Sequence, residues 1–256
     1  MSLTNIIKRA PVVIIGIPAL IGITLYTHDI FMVFFTIAGL LILNEVYRMS
    51  RPNGTEPNVW VGYLVYLSLV GDQLLGEGNN LGAVLIVSIL ILLTWEMFRK
   101  KPHVMENVAS SFFAATFVAL AMSYFISLQQ LGFNGQGGHL GGYAVLTVFI
   151  GVWTCDTMAY FIGSAIGKHK IFPRVSPNKS WEGSISGLIG SLIALVLIVR
   201  ADWLPGLDYT DALILGLITG VAGQLGDFAE SLVKRDVGVK DSSNLLPGHG
   251  GAWDRF

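Results

Sequence analysis

The sequence is short of charge. Charged residues make up 13% of its 256 positions, and the net charge at pH 7 is −1. Soluble domains carry about 25% charged residues, so the share here is roughly half the usual one. Hydrophobic residues account for 53% of the chain and the mean hydropathy is +0.63. The composition indicates a membrane protein, and the balanced charge gives no global field that would recruit nucleic acid.

Cysteine and several catalytic motifs are missing as well. Cys155 is the only cysteine, which excludes an internal disulfide and a cysteine-based metal site. The chain contains no GxxxxGK[ST] phosphate loop, no GxSxG nucleophile motif and no HExxH zinc motif. Residues 1–26 join a basic start to an apolar run that lacks a small-residue cleavage site, so we interpret them as a retained transmembrane helix.

Eight stretches approach the roughly 20 apolar residues that a membrane-spanning helix needs. They cover residues 10–26, 30–47, 59–76, 81–98, 108–128, 140–163, 183–200 and 211–231. Each is expected to be helical, because a single segment in lipid has to satisfy its own backbone hydrogen bonds. The predicted fold is an all-α polytopic membrane protein with about eight transmembrane helices.

Lysine and arginine predict the orientation. If the N-terminus is cytoplasmic and the helices alternate, the opposite side holds only Arg200 of the 16 Lys and Arg residues. The segment 129–142 is then an external loop. It divides an N-terminal region of about five helices, 1–134, from a region rich in polar motifs, 135–256.

Polar residues inside membrane helices are costly, so each is a functional candidate. Asp156 and Tyr160 lie on one face of the sixth predicted helix, at i and i+4. This face either lines a cytoplasmic cleft or is an interfacial Asp–Tyr pair. We favour the cleft, because Asp156 has no basic partner in its own helix.

The loop before the seventh helix concentrates groups that bind anions. It contains Ser176, Asn178, Lys179, Ser180 and Glu182 at a predicted helix start. A helix N-terminus offers free N–H groups and the positive end of the dipole, which suit phosphate. The alternative is a basic loop that only fixes topology. The hydroxyl, amide and lysine groups at the helix start favour anion binding.

A polar stripe begins near the cytoplasmic end of the eighth helix and continues into the segment 231–256. The stripe and the segment contribute Asp227, Glu230, Ser231, Lys234, Arg235, Lys240, Asp241, His249, Gly250, Gly251, Asp254 and Arg255. Carboxylates flanked by lysine and arginine suit a divalent metal that holds polyphosphate. The alternative is a solvated tail with internal salt bridges. It is less favoured, because the charges share a helical stripe and are interrupted by a glycine-rich turn.

A weak repeat occurs in the first half of the chain. Glu45 and Arg48 end the second helix with the same i, i+3 spacing as Glu96 and Arg99 at the end of the fourth. The repeat indicates either a duplicated hairpin with both carboxylates facing a shared cavity, or ordinary Glu/Arg pairs at the membrane interface. The interfacial pairs are the favoured interpretation.

The segment 231–256 resembles the C-terminal signature of phosphatidate cytidylyltransferases, also called CDP-diacylglycerol synthases. The matching positions are Ser231, Lys234, Arg235, Lys240, Asp241, Ser243, Leu246, Pro247, His249, Gly250, Gly251, Asp254, Arg255 and Phe256. Upstream, 156–163 resembles the family's D-x-x-A-Y-x-x-G stretch, and 176–183 resembles its S-P-x-K-T-x-E-G stretch, with Ser180 in place of the usual threonine. Ala252 replaces a larger aliphatic residue, and the family pattern continues into a ninth helix expected after residue 256.

The resemblance implies a reaction and its ligands. CTP and phosphatidic acid would give CDP-diacylglycerol and pyrophosphate. The predicted topology puts the motifs on the cytoplasmic side, and the lack of a recognisable targeting segment fits a bacterial inner membrane. The resemblance implies Mg²⁺ as cofactor, with one or two cations left open, and it leaves a homodimer open. Asp227 and Asp254 are the implied metal ligands, with Asp241 as a third candidate.

The remaining roles also follow from the resemblance. Lys234, Arg235, Lys240 and Arg255 would neutralise phosphates. The first three belong to the catalytic set, together with His249 and the aspartates Asp227, Asp241 and Asp254. A substrate-binding set would contain Asp156, Tyr160, Ser176, Asn178, Lys179, Ser180, Glu182, Ser231, Gly250, Gly251 and Arg255.

Two other functions fit the same topology. A CTP-dependent polyprenol or phytol kinase would transfer the γ-phosphate to an alcohol and release CDP. A transporter would use Asp156 and Asp227 as ion relays, which leaves the glycine-rich turn at 248–251 unexplained.

Overall fold

The structure is a computed structural model. It describes the backbone of residues 3–51, 54–131, 140–203, 207–245 and 250–256, with side chains from residue 14 onward.

Within these ranges the backbone forms eight α-helices and no β-strand, which confirms the predicted all-α class. The helices are α1 (Leu3–Tyr26), α2 (His28–Ser50), α3 (Val59–Leu75), α4 (Leu81–Arg99), α5 (Val104–Gln130), α6 (Leu140–Ile166), α7 (Trp181–Arg200) and α8 (Tyr209–Asp236).

Six of these helices, α2 and α4 to α8, are long and apolar enough to cross a membrane. Two shorter stretches are also apolar: Ile14–Tyr26, which is the part of α1 whose side chains are described, and the helix α3. The eight predicted helices are therefore confirmed as helices, and six of them as candidate spans. The total number of spans, the side of the N-terminus and the ninth helix stay predictions.

The chain divides into two compact units. The first comprises Met1–Ile23, Thr27–Leu128 and Val237–Phe256, and the second comprises Thr24–Tyr26 and Gln129–Asp236. The C-terminal segment, residues 237–256, thus belongs to the unit built mainly from α2 to α5. The functional division at 134/135 stays a prediction.

In the first unit, α2 and α3 pack through two reciprocal tyrosine–glycine contacts. Tyr47 of α2 covers Gly62 of α3, and Tyr66 of α3 covers Gly39 of α2, so that a Cβ atom at either glycine would overlap the facing ring. Both tyrosines are fully buried. The Tyr47 hydroxyl donates a 2.7 Å hydrogen bond to the Ser111 carbonyl, as a buried phenol requires. Small residues let two apolar helices approach closely.

In the second unit, glycines bring α7 against α6. A Cβ atom on Gly183 would lie 2.8 Å from the Ala159 carbonyl oxygen and 3.1 Å from the Cα of Gly163. One turn further, a Cβ atom on Gly187 would lie 2.7 Å from the Cys155 carbonyl oxygen. This close approach fixes the start of α7 beside the end of α6, where two of the predicted polar motifs lie.

The third helix of this unit joins through a buried polar contact. Thr219 of α8 and Ser191 of α7 place their hydroxyl oxygens 2.8 Å apart. In α8, Gln224 donates from Nε2 to the Ser184 carbonyl at 3.0 Å. These bonds satisfy polar groups that apolar surroundings would otherwise penalise, and they fix α8 against the first turns of α7.

Candidate active site

Ser180 begins α7, as the sequence predicts. Its backbone is extended (φ −129°, ψ 157°), and its Oγ accepts a hydrogen bond from the Gly183 N–H at 3.2 Å. The side chain is buried at 2% exposure. Lys170 and Ser180 form an isolated antiparallel bridge, and the Trp181 N–H donates to the His169 carbonyl at 2.9 Å. The capped helix start is thereby held in one place, with Lys179 immediately before it.

Lys179 forms an ion pair with Asp227 of α8. The lysine Nζ also lies 4.4 Å from the centre of the Phe228 ring, which adds a cation–π contact. The side chains of Lys179 and Asp227 are 29% and 46% exposed. The contact with Phe228 therefore holds the Lys179 ammonium in place, while both side chains of the pair remain partly accessible to solvent.

Asp156 completes this group, since it lies within electrostatic range of both Asp227 and Lys179. It is exposed on α6, so α6, α8 and the loop before α7 supply one cluster. We call Asp156, Lys179 and Asp227 the carboxylate–lysine cluster. The sequence identified Asp156 and Asp227 as functional candidates separately, and the structure brings them together.

The composition of the cluster fits a hard divalent cation. Mg²⁺ prefers oxygen ligands and is usually held by one or two carboxylates together with water and substrate phosphates. Two neighbouring aspartates meet that requirement. Among the described residues there is no group of three His, Cys, Asp or Glu side chains arranged for a metal. A cation here would need further ligands beyond these two aspartates.

The rest of the loop before α7 is ordered by its own contacts. Glu182 holds His169, with Oε1 2.6 Å from the ring Nδ1 and both carboxylate oxygens 3.3 Å from the His169 N–H. Lys170 donates from Nζ to the Asn178 carbonyl at 3.2 Å, and the Ser176 N–H donates to the Phe172 carbonyl at 2.9 Å. Glu182 therefore stabilises the loop on which Lys179 sits.

The polar stripe on α8 is confirmed as helical, because the helix continues to Asp236. Lys234 pairs with Glu230 at 2.5 Å, with both side chains largely buried. Arg235 donates from Nε to the Val175 carbonyl at 3.4 Å. Ser231 is partly exposed on the same helix. The basic end of α8 thus contacts the loop before α7.

Tyr160 is 71% exposed on α6, and its ring packs edge-on against the ring of Phe161.

In the first unit, the C-terminal segment folds around Asp254. Its Oδ2 accepts hydrogen bonds from the Ser242 N–H (2.9 Å), the Ser242 hydroxyl (3.0 Å) and the Gly251 N–H (2.7 Å). Gly250 has a φ of +89°, a conformation that glycine adopts without strain. The predicted glycine turn is therefore present at Gly250, and it orients the carboxylate of Asp254.

Glu45 of α2 is a contact of this segment that sequence reasoning assigned to the membrane interface. It is 4% exposed. Its Oε1 accepts from the Ser243 hydroxyl (2.6 Å) and the Ala252 N–H (2.9 Å). Its Oε2 accepts from the Ser242 hydroxyl (2.7 Å) and the Trp253 N–H (3.0 Å). The signal in the sequence was a carboxylate that comes just after the long apolar run of α2.

The remaining predicted residues belong to the C-terminal segment. Lys240, Asp241 and Arg255 are exposed. Gly251 is buried where an added Cβ atom would meet Ser242 and Glu45. His249 lies outside the described residues. Asp227 and Asp254 belong to different compact units, so their shared metal site stays a prediction.

An apolar pocket of about 470 Å³ adjoins the C-terminal segment within the first unit. Its walls come from α1, α2 and the segment itself, including Leu20, Leu41, Ala252 and Phe256. Among the described residues that line the pocket, Arg255 carries the only charge. A pocket of this chemistry suits a hydrocarbon chain.

The chain is similar to known proteins over most of its length. The model of the cytidylyltransferase family matches residues 7–256. A phosphatidate cytidylyltransferase from Bacillus subtilis is 32% identical over 222 residues, covering 85% of this chain and 80% of the relative. One from Staphylococcus saprophyticus is 33% identical over 252 residues, covering 95% and 89%. One from Haemophilus influenzae is 48% identical over 119 residues, covering 45% and 41%.

The fold is that of a helical membrane protein with several candidate spans. Its site combines two carboxylates and a lysine beside a helix N-terminus. This combination suits the phosphates of a nucleotide. The chain belongs to the cytidylyltransferase family, and it is an enzyme of the nucleotidyltransferase class.

Proposed function

We propose that the protein transfers CMP from CTP to phosphatidic acid, giving CDP-diacylglycerol and pyrophosphate in phospholipid biosynthesis. The observation that carries the proposal is the carboxylate–lysine cluster at the capped start of α7. Relatives that the chain matches over most of their length bear the name phosphatidate cytidylyltransferase.

The reaction needs positioning and charge neutralisation more than covalent catalysis. A phosphate oxygen of the lipid attacks the α-phosphorus of CTP, the bond from that phosphorus to the bridging oxygen breaks in line, and pyrophosphate leaves with the electron pair. Lys179 and the positive end of the α7 dipole would attract phosphate oxygens as negative charge shifts toward the leaving group.

Asp156 and Asp227 are the residues that would hold Mg²⁺ in this scheme. When bound, the cation neutralises phosphate charge and polarises the phosphoryl oxygens. Asp254 is a further metal ligand in the proposal, with Asp241 as another candidate. Lys234, Arg235, Lys240, Arg255 and His249 provide the phosphate contacts.

The lipid substrate requires an apolar surface beside its phosphate. We place one acyl chain in the apolar pocket walled by Leu41 and Phe256, with the lipid phosphate near Arg255 at its edge. All phosphate-binding groups would face the cytoplasm, where CTP is available, as the lysine and arginine distribution of the sequence predicts.

The product distinguishes the candidate reactions. Purified protein in lipid nanodiscs is incubated with CTP, Mg²⁺ and phosphatidic acid, and pyrophosphate and CDP are measured separately. The proposal expects pyrophosphate in a one-to-one ratio with CDP-diacylglycerol. Release of CDP with phosphorylation of a polyprenol would indicate a lipid kinase. Ion flux without CTP turnover would indicate a transporter.

A further inference from the structure

Glu45 is a carboxylate in a costly position. It lies inside α2, at 4% exposure, and a buried carboxylate is tolerated only where its oxygens are well hydrogen-bonded. Its carboxylate accepts four hydrogen bonds, and all four donors belong to one short part of the chain, 242–253. Glu45 is therefore a polar anchor through which α2 holds the C-terminal segment, beside the ring contacts of Phe34 and Phe35 with Phe256.

The donors make this contact specific. Two are backbone N–H groups, of Ala252 and Trp253, which cannot rotate to accept a hydrogen bond. They come from adjacent residues and reach opposite oxygens of the same carboxylate. Only a side chain that accepts on both terminal atoms satisfies both of them, as a carboxylate does and an amide does not.

The contact continues to Asp254 through Ser242. The Ser242 oxygen lies 2.7 Å from Glu45 and 3.0 Å from Asp254, and the Ser242 N–H donates to Asp254 at 2.9 Å. Since a hydroxyl has one proton, it serves one carboxylate at a time, while the N–H remains on Asp254. Displacing Ser242 from Glu45 would consequently disturb two donors of Asp254.

We propose that Glu45 is a positioning residue of the enzyme, whose carboxylate holds the C-terminal segment so that Asp254 and Arg255 reach the substrates. The catalytic part of this inference rests on the proposed cytidylyltransferase function. The structural part, the attachment of the segment to α2, is independent of it.

Glu45→Gln is the decisive variant. A glutamine has nearly the same shape, but its NH₂ group donates, so either the Ala252 or the Trp253 N–H faces another donor. Glu45→Asp retains the charge and should recover part of the effect. Glu96→Gln is the matched control, because Glu96 is 3% exposed at the corresponding position of α4 and pairs with Arg99 of its own helix.

Two measurements are made on the full chain in nanodiscs. Hydrogen exchange followed by mass spectrometry should show at least about tenfold faster exchange at Ala252 and Trp253 in Glu45→Gln, because their amide protection is lost. Kinetics should show kcat/KM lowered at least about tenfold and a higher Mg²⁺ concentration for half-maximal rate. Glu96→Gln should leave the exchange and the Mg²⁺ midpoint unchanged.

The outcomes separate the two parts of the inference. Unchanged exchange in Glu45→Gln would overturn the attachment itself. Faster exchange with unchanged kcat/KM and Mg²⁺ midpoint would overturn the positioning role. If the wild-type protein turns over no CTP, the proposed function fails and the catalytic role fails with it, while the exchange experiment still decides the attachment.

A milder variant covers the case in which Glu45→Gln does not fold. Ser243→Ala removes one donor from Oε1 without altering the buried charge. It should accelerate exchange in the same segment to a smaller extent and move the Mg²⁺ midpoint in the same direction. No change in either measurement would count against the proposal.

Discussion

Lys179 and Asp227 form an ion pair although 48 positions separate them in the chain. The pair exists because two features of the second unit converge. The N-cap of Ser180 fixes the start of α7, and Gln224 fixes α8 against it one turn before Asp227. A cation and an anion are thus held at the surface where a phosphate and a metal ion would need them.

Removing either carboxylate of the cluster should abolish turnover. Asp156→Asn and Asp227→Asn each keep the side-chain shape but weaken the affinity for a hard cation. We expect kcat/KM to fall at least about 100-fold in each variant, with unfolding midpoints close to that of the wild type. The measurement is pyrophosphate release with CTP, Mg²⁺ and phosphatidic acid, and chelation by EDTA should abolish the wild-type rate as well.

Asp202→Asn is the control for this pair of variants, because Asp202 is an exposed acid after α7 with a left-handed φ of 51° that asparagine also accepts. Its rate should match the wild type. Near-wild-type turnover in Asp227→Asn would remove that residue from the metal assignment.

Lys179→Ala should weaken the use of CTP. The variant removes the cation beside Asp227 while leaving the Ser180 cap intact, so the loss is of phosphate binding rather than of the fold. We expect kcat/KM for CTP to fall about 10- to 100-fold, with Lys179→Arg intermediate. Lys168→Ala, an exposed lysine of the same loop, should change the rate by less than about twofold. Equal effects of the two alanine variants would assign the loop a general electrostatic role.

Filling the apolar pocket should discriminate among lipid substrates. Leu41 lines the pocket and is 39% exposed, so Leu41→Trp narrows the pocket without disturbing the buried core. The KM for a long-chain phosphatidic acid should rise about tenfold, whereas the KM for a dihexanoyl substrate should change little.

The matched control is Leu90→Trp on α4, where the leucine is 57% exposed and lies away from this pocket. It should leave both KM values unchanged. If Leu41→Trp raises the KM values of short- and long-chain substrates equally, the pocket does not hold an acyl chain.

The close contact of α6 and α7 predicts a stability effect. A Cβ atom at Gly187 would lie 2.7 Å from the Cys155 carbonyl oxygen and 3.1 Å from the Ala159 Cβ. Gly187→Ala should therefore lower the free energy of unfolding by about 1–3 kcal/mol. At Gly82 of α4 an added Cβ meets nothing within 4 Å, so Gly82→Ala should be neutral or stabilising by up to about 1 kcal/mol. Thermal unfolding in one detergent compares the two variants.

The helices could be predicted from the sequence because each is a long apolar run with polar ends. The predicted sixth stretch, 140–163, compares with Leu140–Ile166 in the structure, and the predicted seventh, 183–200, compares with Trp181–Arg200. The eighth extends further than predicted, to Asp236 rather than 231. Its last turn is polar, so it lacks the apolar run by which the other helices were predicted. The Glu230–Lys234 ion pair stabilises the helical conformation there.

Tertiary pairing could not be predicted in the same way. Asp156 and Asp227 were recognisable as costly residues in apolar helices, but their neighbourhood depends on how α6, α7 and α8 pack. The Glu/Arg repeat of α2 and α4 also shows that tertiary contacts could not be predicted from the local sequence. Glu96 and Arg99 form the expected i, i+3 ion pair, whereas the carboxylate of Glu45 is used by residues 242–253. Identical local patterns thus have different roles, and only long-range contacts distinguish them.

The contact between Glu45 and Ser242 spans 197 positions, which has a consequence during synthesis. At about 5–20 residues per second, roughly 10–40 seconds pass between the addition of these two residues. During that interval α2 carries a carboxylate whose hydrogen-bonding partners do not yet exist, so its oxygens need water or other polar partners. Final packing of α2 is therefore coupled to synthesis of the segment that begins near Ser242, and a nascent protein interrupted before that residue would lack all four hydrogen-bond donors of Glu45.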